Sequence, residues 1–315
     1  MFPQRVICLF TLLEFVTFHE LSLAKANTIG TIGENISRRV LMTASYTAMT
    51  VDVVDGIATV VFNNPKQRNP FTAELKADLL TLVRDMQYRE DVDVMIITGS
   101  DGVFSAGGDL RSLNNMDGRT TSGDRRRIYQ IHDWFQPFLN LEMPVIAAVD
   151  GAAYGGGFGL ALAADFVLAS ESARFCSVFG RIGLVPDVGV MYTLPRIVGL
   201  QKAKELVFSC RPVFAEEAKQ LGIAMEIYPA DALMAAAQSL ARRMQSGSRD
   251  ATGAAKVILN QSFNLDAKAL VEMEAAVQAV MMGSRYHKNA VRDFLDKKPL
   301  PFDWERFDRE TKAAE

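Results

Sequence analysis

The chain reads as an α/β protein that ends in a helical region. Three observations predict this. Short apolar runs alternate with helix-patterned ones from residue 51 to about 230. Two of those runs end in glycine segments that lead into helices, FSAGGDL at 104–110 and GAAYGGGFG at 151–159. Beyond Asp231 only helical periodicity remains.

Taken in order, residues 51–62 form two strands around Asp55-Gly56, a hairpin signal. At 72–88, Leu75, Leu79, Leu82, Val83 and Met86 fall on one helical face, and Thr72 fits the N-cap. A buried strand follows at 92–98. The polar stretch 111–127, with Arg125-Arg126-Arg127, reads as a solvated face. Next come a helix at 128–139, a strand at 145–149, a helix near 157–164, a strand at 166–169 and a helix at 188–197. Asp231 caps a run through Met244, and further helices fit 251–262, 266–281 and 286–296. The expected division is therefore a leader at 1–50, a core at 51–230 and a C-terminal helical region at 231–315.

Residues 1–50 differ in character. Arg5 precedes an apolar run at 6–13, and Ala24-Lys25-Ala26 looks like a cleavage site, a superficial signal-peptide pattern. Glu14 and His19-Glu20 break that pattern, and the run is too short to span a bilayer. The favoured expectation is a leader outside the fold, with Met42 or Met49 as the functional start. A cleaved signal stays open as the alternative.

Of 315 residues, 49% are hydrophobic and 23% charged, a globular balance with ample core. A net charge of −3 gives no reason to expect nucleic acid or an anionic membrane as a bulk partner. Three cysteines, at 8, 176 and 210, show no paired spacing, which fits a reducing, cytoplasmic location. The histidines at 19, 132 and 287 are as scattered, so no metal site or histidine triad is expected.

Glycine between a strand and a helix start lets backbone N–H groups approach a ligand closely. Neither segment is a Walker loop or a GxGxxG dinucleotide turn. Two such turns facing one point would make an oxyanion hole.

Five motifs, in order, resemble the crotonase superfamily, the enoyl-CoA hydratase/isomerase family, over roughly residues 51–304. They are NNPKQRNP at 63–70, FSAGGDL, MPVIAAVDGAAYGGG at 143–157, ARFCSVFGRIGLVPDVG at 173–189 and DFLDKKP at 293–299. The resemblance implies an α/β, crotonase-like spiral of ββα repeats with a C-terminal helical region, assembled as homotrimers or homohexamers. It implies an acyl-CoA thioester as substrate, with coenzyme A part of the substrate and no tightly bound cofactor. By position, N–H groups of Gly108 and Gly156 would hold the thioester oxygen. Backbone groups of Ala106, Asp109 and Leu110 would lie along CoA, and Arg68, Phe294 and Lys297 would serve its far end.

The two glutamates with which family hydratases hold water correspond here to Gly159 and Phe179, so standard hydration is in doubt. Asp187, in Val185-Pro186-Asp187-Val188-Gly189, matches the acid of family isomerases. One carboxylate suffices for a double-bond shift, because no water needs activating. Phe179, beside the acyl chain, would exclude water and raise the Asp187 pKa. An aspartate before an apolar helix also fits an N-cap. The expectation is an acyl-CoA isomerase of fatty-acid or aromatic-acid degradation. The alternatives are an enoyl-CoA hydratase (a hydro-lyase) and a catalytically silent CoA-binding or RNA-binding member.

Overall fold

Strands β1 (Met49–Val54) and β2 (Ile57–Phe62) pair antiparallel, with Val54 opposite Ile57. Asp55 and Gly56 turn between them with φ of 50° and 79°, the pair of positive angles that matches strand twist. The computed structural model describes residues 45–114 and 118–306. Its fold begins ahead of the boundary expected between residues 50 and 51. Met49 is buried opposite Phe62, and the N–H groups of Thr47 and Ala48 donate to Asp78 Oδ2 at 2.8 and 2.7 Å. Met42 and the cleavage-like Ala24-Lys25-Ala26 lie outside the described residues, as does part of the polar stretch at 111–127. Arg125, Arg126 and Arg127 are exposed, as a solvated face requires.

After β2 the chain repeats one unit: a strand, a short strand, then a helix. The first is completed by β3 (Pro70–Phe71) and α1 (Ala73–Tyr88), where Thr72 Oγ1 accepts from Leu75 N at 3.2 Å as the predicted cap. The second is β4 (Val94–Gly99), β5 (Gly107–Gly108), α2 (Leu110–Asn114) and α3 (Thr121–Leu139). Helix α3 starts earlier than expected because Thr120 caps Gly123 N, and its first turns are exposed and lack an apolar face to betray them. The third is β6 (Val145–Val149), β7 (Ala152–Tyr154) and α4 (Gly156–Ala163). The fourth is β8 (Phe166–Ser170), β9 (Arg174–Cys176) and a 3-10 turn at Val178–Ile182. Then follow α5 (Val190–Val198), α6 (Leu200–Ser209), β10 (Val213–Phe214), α7 (Ala215–Gln220) and β11 (Glu226–Tyr228).

The first strand of each unit enters one sheet of order β1-β2-β4-β6-β8-β11, parallel from β2 onward. The short strands form their own layer, β3 with β5 and β7 with β9, bridged by Ser105 and Ala153. These two- and three-residue strands are too short for any sequence periodicity to reveal.

In the large sheet the central strands β4, β6 and β8 are buried on both faces and are apolar runs without alternation, whereas the edge strand β1 alternates with solvent. One face packs on α1, α3 and α4. The other is covered by α8 (Leu233–Gln245), whose Leu233, Ala237, Leu240 and Ala241 meet Ile57, Val94, Ile96 and Ile146. Each fully buried leucine contributes about 1.5–3 kcal/mol. Asp231 does not cap α8; Ala232 holds the cap position without a side-chain bond. The last helices are α9 (Arg249–Gln261), α10 (Ala267–Gly283) and α11 (Arg285–Leu295).

Candidate active site

The bridge between the short-strand pairs brings the two glycine segments together. Ser105 N donates to Ala152 O, and Tyr154 N donates to Ser105 O, both at 2.9 Å. A Cβ placed on Gly107 would lie 2.8 Å from Gly156 N, so the segments touch. Gly155, with φ 54° and ψ −121°, turns the chain sharply into α4, a conformation that glycine alone adopts readily. Gly156 is the first residue of α4, so its N–H finds no acceptor within its own helix. All eight residues of α4 are buried, which fixes that N–H in the core of the fold. Gly108 lies on β5 opposite Phe71 and is exposed.

Asp187 sits on the loop between the 3-10 turn and α5, half-buried. Burial pushes its carboxyl up to about 6, while its own backbone N–H and the Lys76 ammonium pull it down less strongly. The capping role does not hold: α5 starts at Val190, with Gly189 as its cap residue and no side-chain cap bond. Val188, directly after Asp187, reaches the second glycine segment. Its Cγ2 lies 3.1 Å from where a Gly156 Cβ would stand, and its carbonyl oxygen overlaps the place of a Gly159 Cβ.

The two positions expected to match the hydratase glutamates offer no carboxylate. Gly159 has no room for a side chain, and Phe179 is 8% exposed with its ring tip 3.8 Å from a Gly155 Cβ. Aromatic rings wall the region. Phe71 lies 3.1 Å from the Gly156 Cβ position and packs edge-on to Trp134 (5.9 Å), which packs on Phe135 (6.0 Å). Phe135 in turn lies against Gly189.

The expected CoA contacts are only partly gathered. Arg68 is exposed, and its carbonyl accepts from Ala106 N at 2.8 Å, which joins the first motif to the second and engages that N–H internally. Asp109 Oδ1 accepts from Arg111 N at 3.1 Å, closing the turn into α2, where Leu110 is exposed. Phe294, 68% exposed, and Lys297 lie on and just after α11, whose main packing partner is α10; they are not gathered with the glycines and Asp187. Among the described residues no group of three or more His, Cys, Asp or Glu side chains forms a metal site.

The sequence reading missed Phe71, Val188 and Lys76. Phe71 carried a signal, an apolar residue just before the Thr72 cap. Val188 carried none, since its φ of 46° is a region that branched residues avoid.

A family model described as enoyl-CoA hydratase/isomerase matches residues 52–306. The chain belongs to the enoyl-CoA hydratase/isomerase family. Within the family it is 30% identical, over 82% of this chain and 98% of the other, to a probable enoyl-CoA hydratase of Rhodobacter capsulatus. It is 29% identical to the 1,2-epoxyphenylacetyl-CoA isomerase of Escherichia coli, over 79% of this chain and 96% of that one. A crystal structure of an enoyl-CoA hydratase/isomerase from Cupriavidus metallidurans superposes with a TM-score of 0.78 at 39% identity, covering 82% and 97% of the two chains. The repeated strand, short strand and helix units are the crotonase fold of this family.

Proposed function

We propose that this enzyme is an acyl-CoA isomerase that shifts a double bond through a thioester enolate. The observation that carries the reading is a raised carboxyl, Asp187, on a loop whose Val188 packs against α4. Both positions of the hydratase pair are closed by Gly159 and Phe179.

In this reading the N–H groups of Gly108 and Gly156 hold the thioester oxygen as charge develops on it. Such donors are worth several kcal/mol, roughly 2.7–4 for one donor. Asp187 as carboxylate takes a proton from C2 of a 3-enoyl-CoA. The electron pair moves into the dienolate, and the same carboxyl returns the proton to C4, leaving a 2-enoyl-CoA. No water enters the balance. A pKa near 6 suits a group that must both accept and return a proton near neutral pH. Arg68, Ala106, Asp109, Leu110, Phe294 and Lys297 are assigned to CoA, and Phe179 to the acyl chain. Likeness to an epoxyphenylacetyl-CoA isomerase supports a cyclic or aromatic acyl group as an alternative to a fatty chain. We place the enzyme in the cytoplasm as a homotrimer or homohexamer.

The test is an absorbance assay of the purified protein on a 3-enoyl-CoA beside Asp187→Ala. A rise in conjugated-enoyl absorbance that the variant loses by about 10²–10⁴-fold establishes the isomerase. The family name hydratase keeps a second reading alive. Hydration of crotonyl-CoA that survives Asp187→Ala would establish that reading instead, and no turnover of either substrate would leave a CoA-binding protein.

A further inference from the structure

Val188 adopts φ 46°, in the left-handed region, although it is β-branched and 2% exposed. Branched side chains are strained there, and a glycine would hold the same backbone without strain. What the valine gains lies in its contacts. Its Cγ2 faces Gly156, the first residue of α4, and its Cβ and carbonyl face Gly159, one turn later. Both neighbours lack side chains, so Val188 sits against bare helix backbone. On its other side it is bonded to Asp187, whose carbonyl accepts from Val190 N at 3.1 Å and so fastens the loop to α5. Gly189, with φ 69°, lies against the Phe135 ring, so the loop has a fixed surface behind it as well.

We propose that Val188 is a positioning residue, a strained wedge that sets the distance and angle of Asp187 from the Gly156 N–H. This rests on the isomerase reading, in which the carboxylate and the oxyanion donor act on adjacent atoms of one thioester. The wedge makes the acid and the donor one rigid unit. It also seals the acid from water on the α4 side. The charged group that acts on the carboxyl from a packed element is Lys76 of α1.

The test uses the full chain with Val188→Gly, Val188→Ala and Val188→Thr. Glycine relieves the left-handed backbone while removing the wedge; alanine keeps the strain without the γ carbons; threonine keeps the branched shape. Two quantities are read: kcat and KM on a 3-enoyl-CoA, and the Asp187 titration by carbon NMR of protein labelled at aspartate Cγ, assigned with Asp187→Asn. Glycine and alanine should lower kcat about 10–100-fold, as ångström-scale misplacement of a reacting group does. KM should stay within about two-fold, as for interactions made only in the transition state. The carboxyl midpoint should move from about 6 toward the ordinary aspartate range, and threonine should restore both. Unchanged kcat and midpoint in the glycine and alanine variants would overturn the wedge, as would losses that merely track melting temperature in all three. If the unmutated protein does not turn over 3-enoyl-CoA, the isomerase reading fails, and the wedge stands or falls on the titration alone.

Discussion

The acid that the proposed reaction assigns to Asp187 also weakens the fold that holds it. Its pKa of about 6 in the folded state lies above the ordinary 3.8. Between those values the folded chain binds more protons than the unfolded one, so stability falls as pH rises from about 4 to about 6 and stays lower above. Asp187→Asn removes that cost. It should unfold later in denaturant at pH 7 by about 1–2 kcal/mol, discounted for partial exposure, and match the unmutated protein at pH 4. In the proposed reaction activity runs the other way, because only the carboxylate can take the C2 proton. The rate profile should show an acid limb with a midpoint near 6, and a limb near 4 would remove burial as the tuning device. Gly159 makes the complementary point. Installing glutamate there should not create a hydratase, because its Cβ would overlap the Val188 carbonyl. Gly159→Glu should be strongly destabilised and should hydrate crotonyl-CoA no faster than the parent. The two glycine segments were legible in the sequence because they sit at strand-to-helix junctions, whereas Asp187, on a loop between a 3-10 turn and α5, stood out only through the family resemblance. The strain at Val188 was not legible, because backbone angle leaves no trace in residue type when tertiary packing overrides local preference.

Among elements, the long ones were legible and the short ones were not. Strand β6 and helix α1 match their sequence ranges closely, since burial writes itself into apolar runs and helical spacing. Strands β3, β5, β7 and β9 did not register, yet they form the layer that brings Ser105 to Ala153 and so joins the glycine segments. Helix α9 was predicted as a helix, but nothing in its pattern showed what holds it. Lys256 Nζ, on that helix, donates to Asp165 Oδ2 at 2.7 Å and to Met143 O at 3.1 Å, and Asp165 Oδ2 also accepts from Val145 N at 2.7 Å. Burial pushes the Asp165 carboxyl up and the Lys256 ammonium down, each against the pull of the other. Nearby, Gly253 lies against the Glu142 backbone, and Asn260 O accepts from Tyr192 OH of α5 at 2.7 Å. The helix is therefore pinned both to the start of β6 and to the element after the loop that carries Asp187. Lys256→Met strands a buried carboxylate and should cost about 3–5 kcal/mol in denaturant unfolding. Adding Asp165→Asn should recover part of that loss, because the two residues are coupled. Additive losses would mean that the pair is not the fastening.

At the scale of the molecule, the C-terminal helices leave apolar surface that one chain does not cover. Helix α10 carries Leu270, Val271, Val277, Val280 and Met281, yet none of its residues is buried. Val280 is 67% exposed, and Phe294 and Leu295 at the end of α11 are exposed as well. Single exposed apolar residues are ordinary, but a contiguous helix of them marks an association surface. The expected homotrimer or homohexamer gives that surface a use, and the two possibilities separate cleanly by mutation. In a lone chain, Val280→Glu sits in solvent and should change stability by no more than about 0.5 kcal/mol. In an assembly it buries a charge against a neighbour. Sedimentation should then show the unmutated protein as a multiple of 34.7 kDa and the variant shifted toward the single chain. The melting temperature of the unmutated protein should rise with concentration, as mass action requires of a fold stabilised by its partners. A parent that sediments as one chain, with a variant of equal stability, would mean that α10 faces water. The assignment of Phe294 and Lys297 to CoA would then rest on a helix with no second surface to hold it over the site.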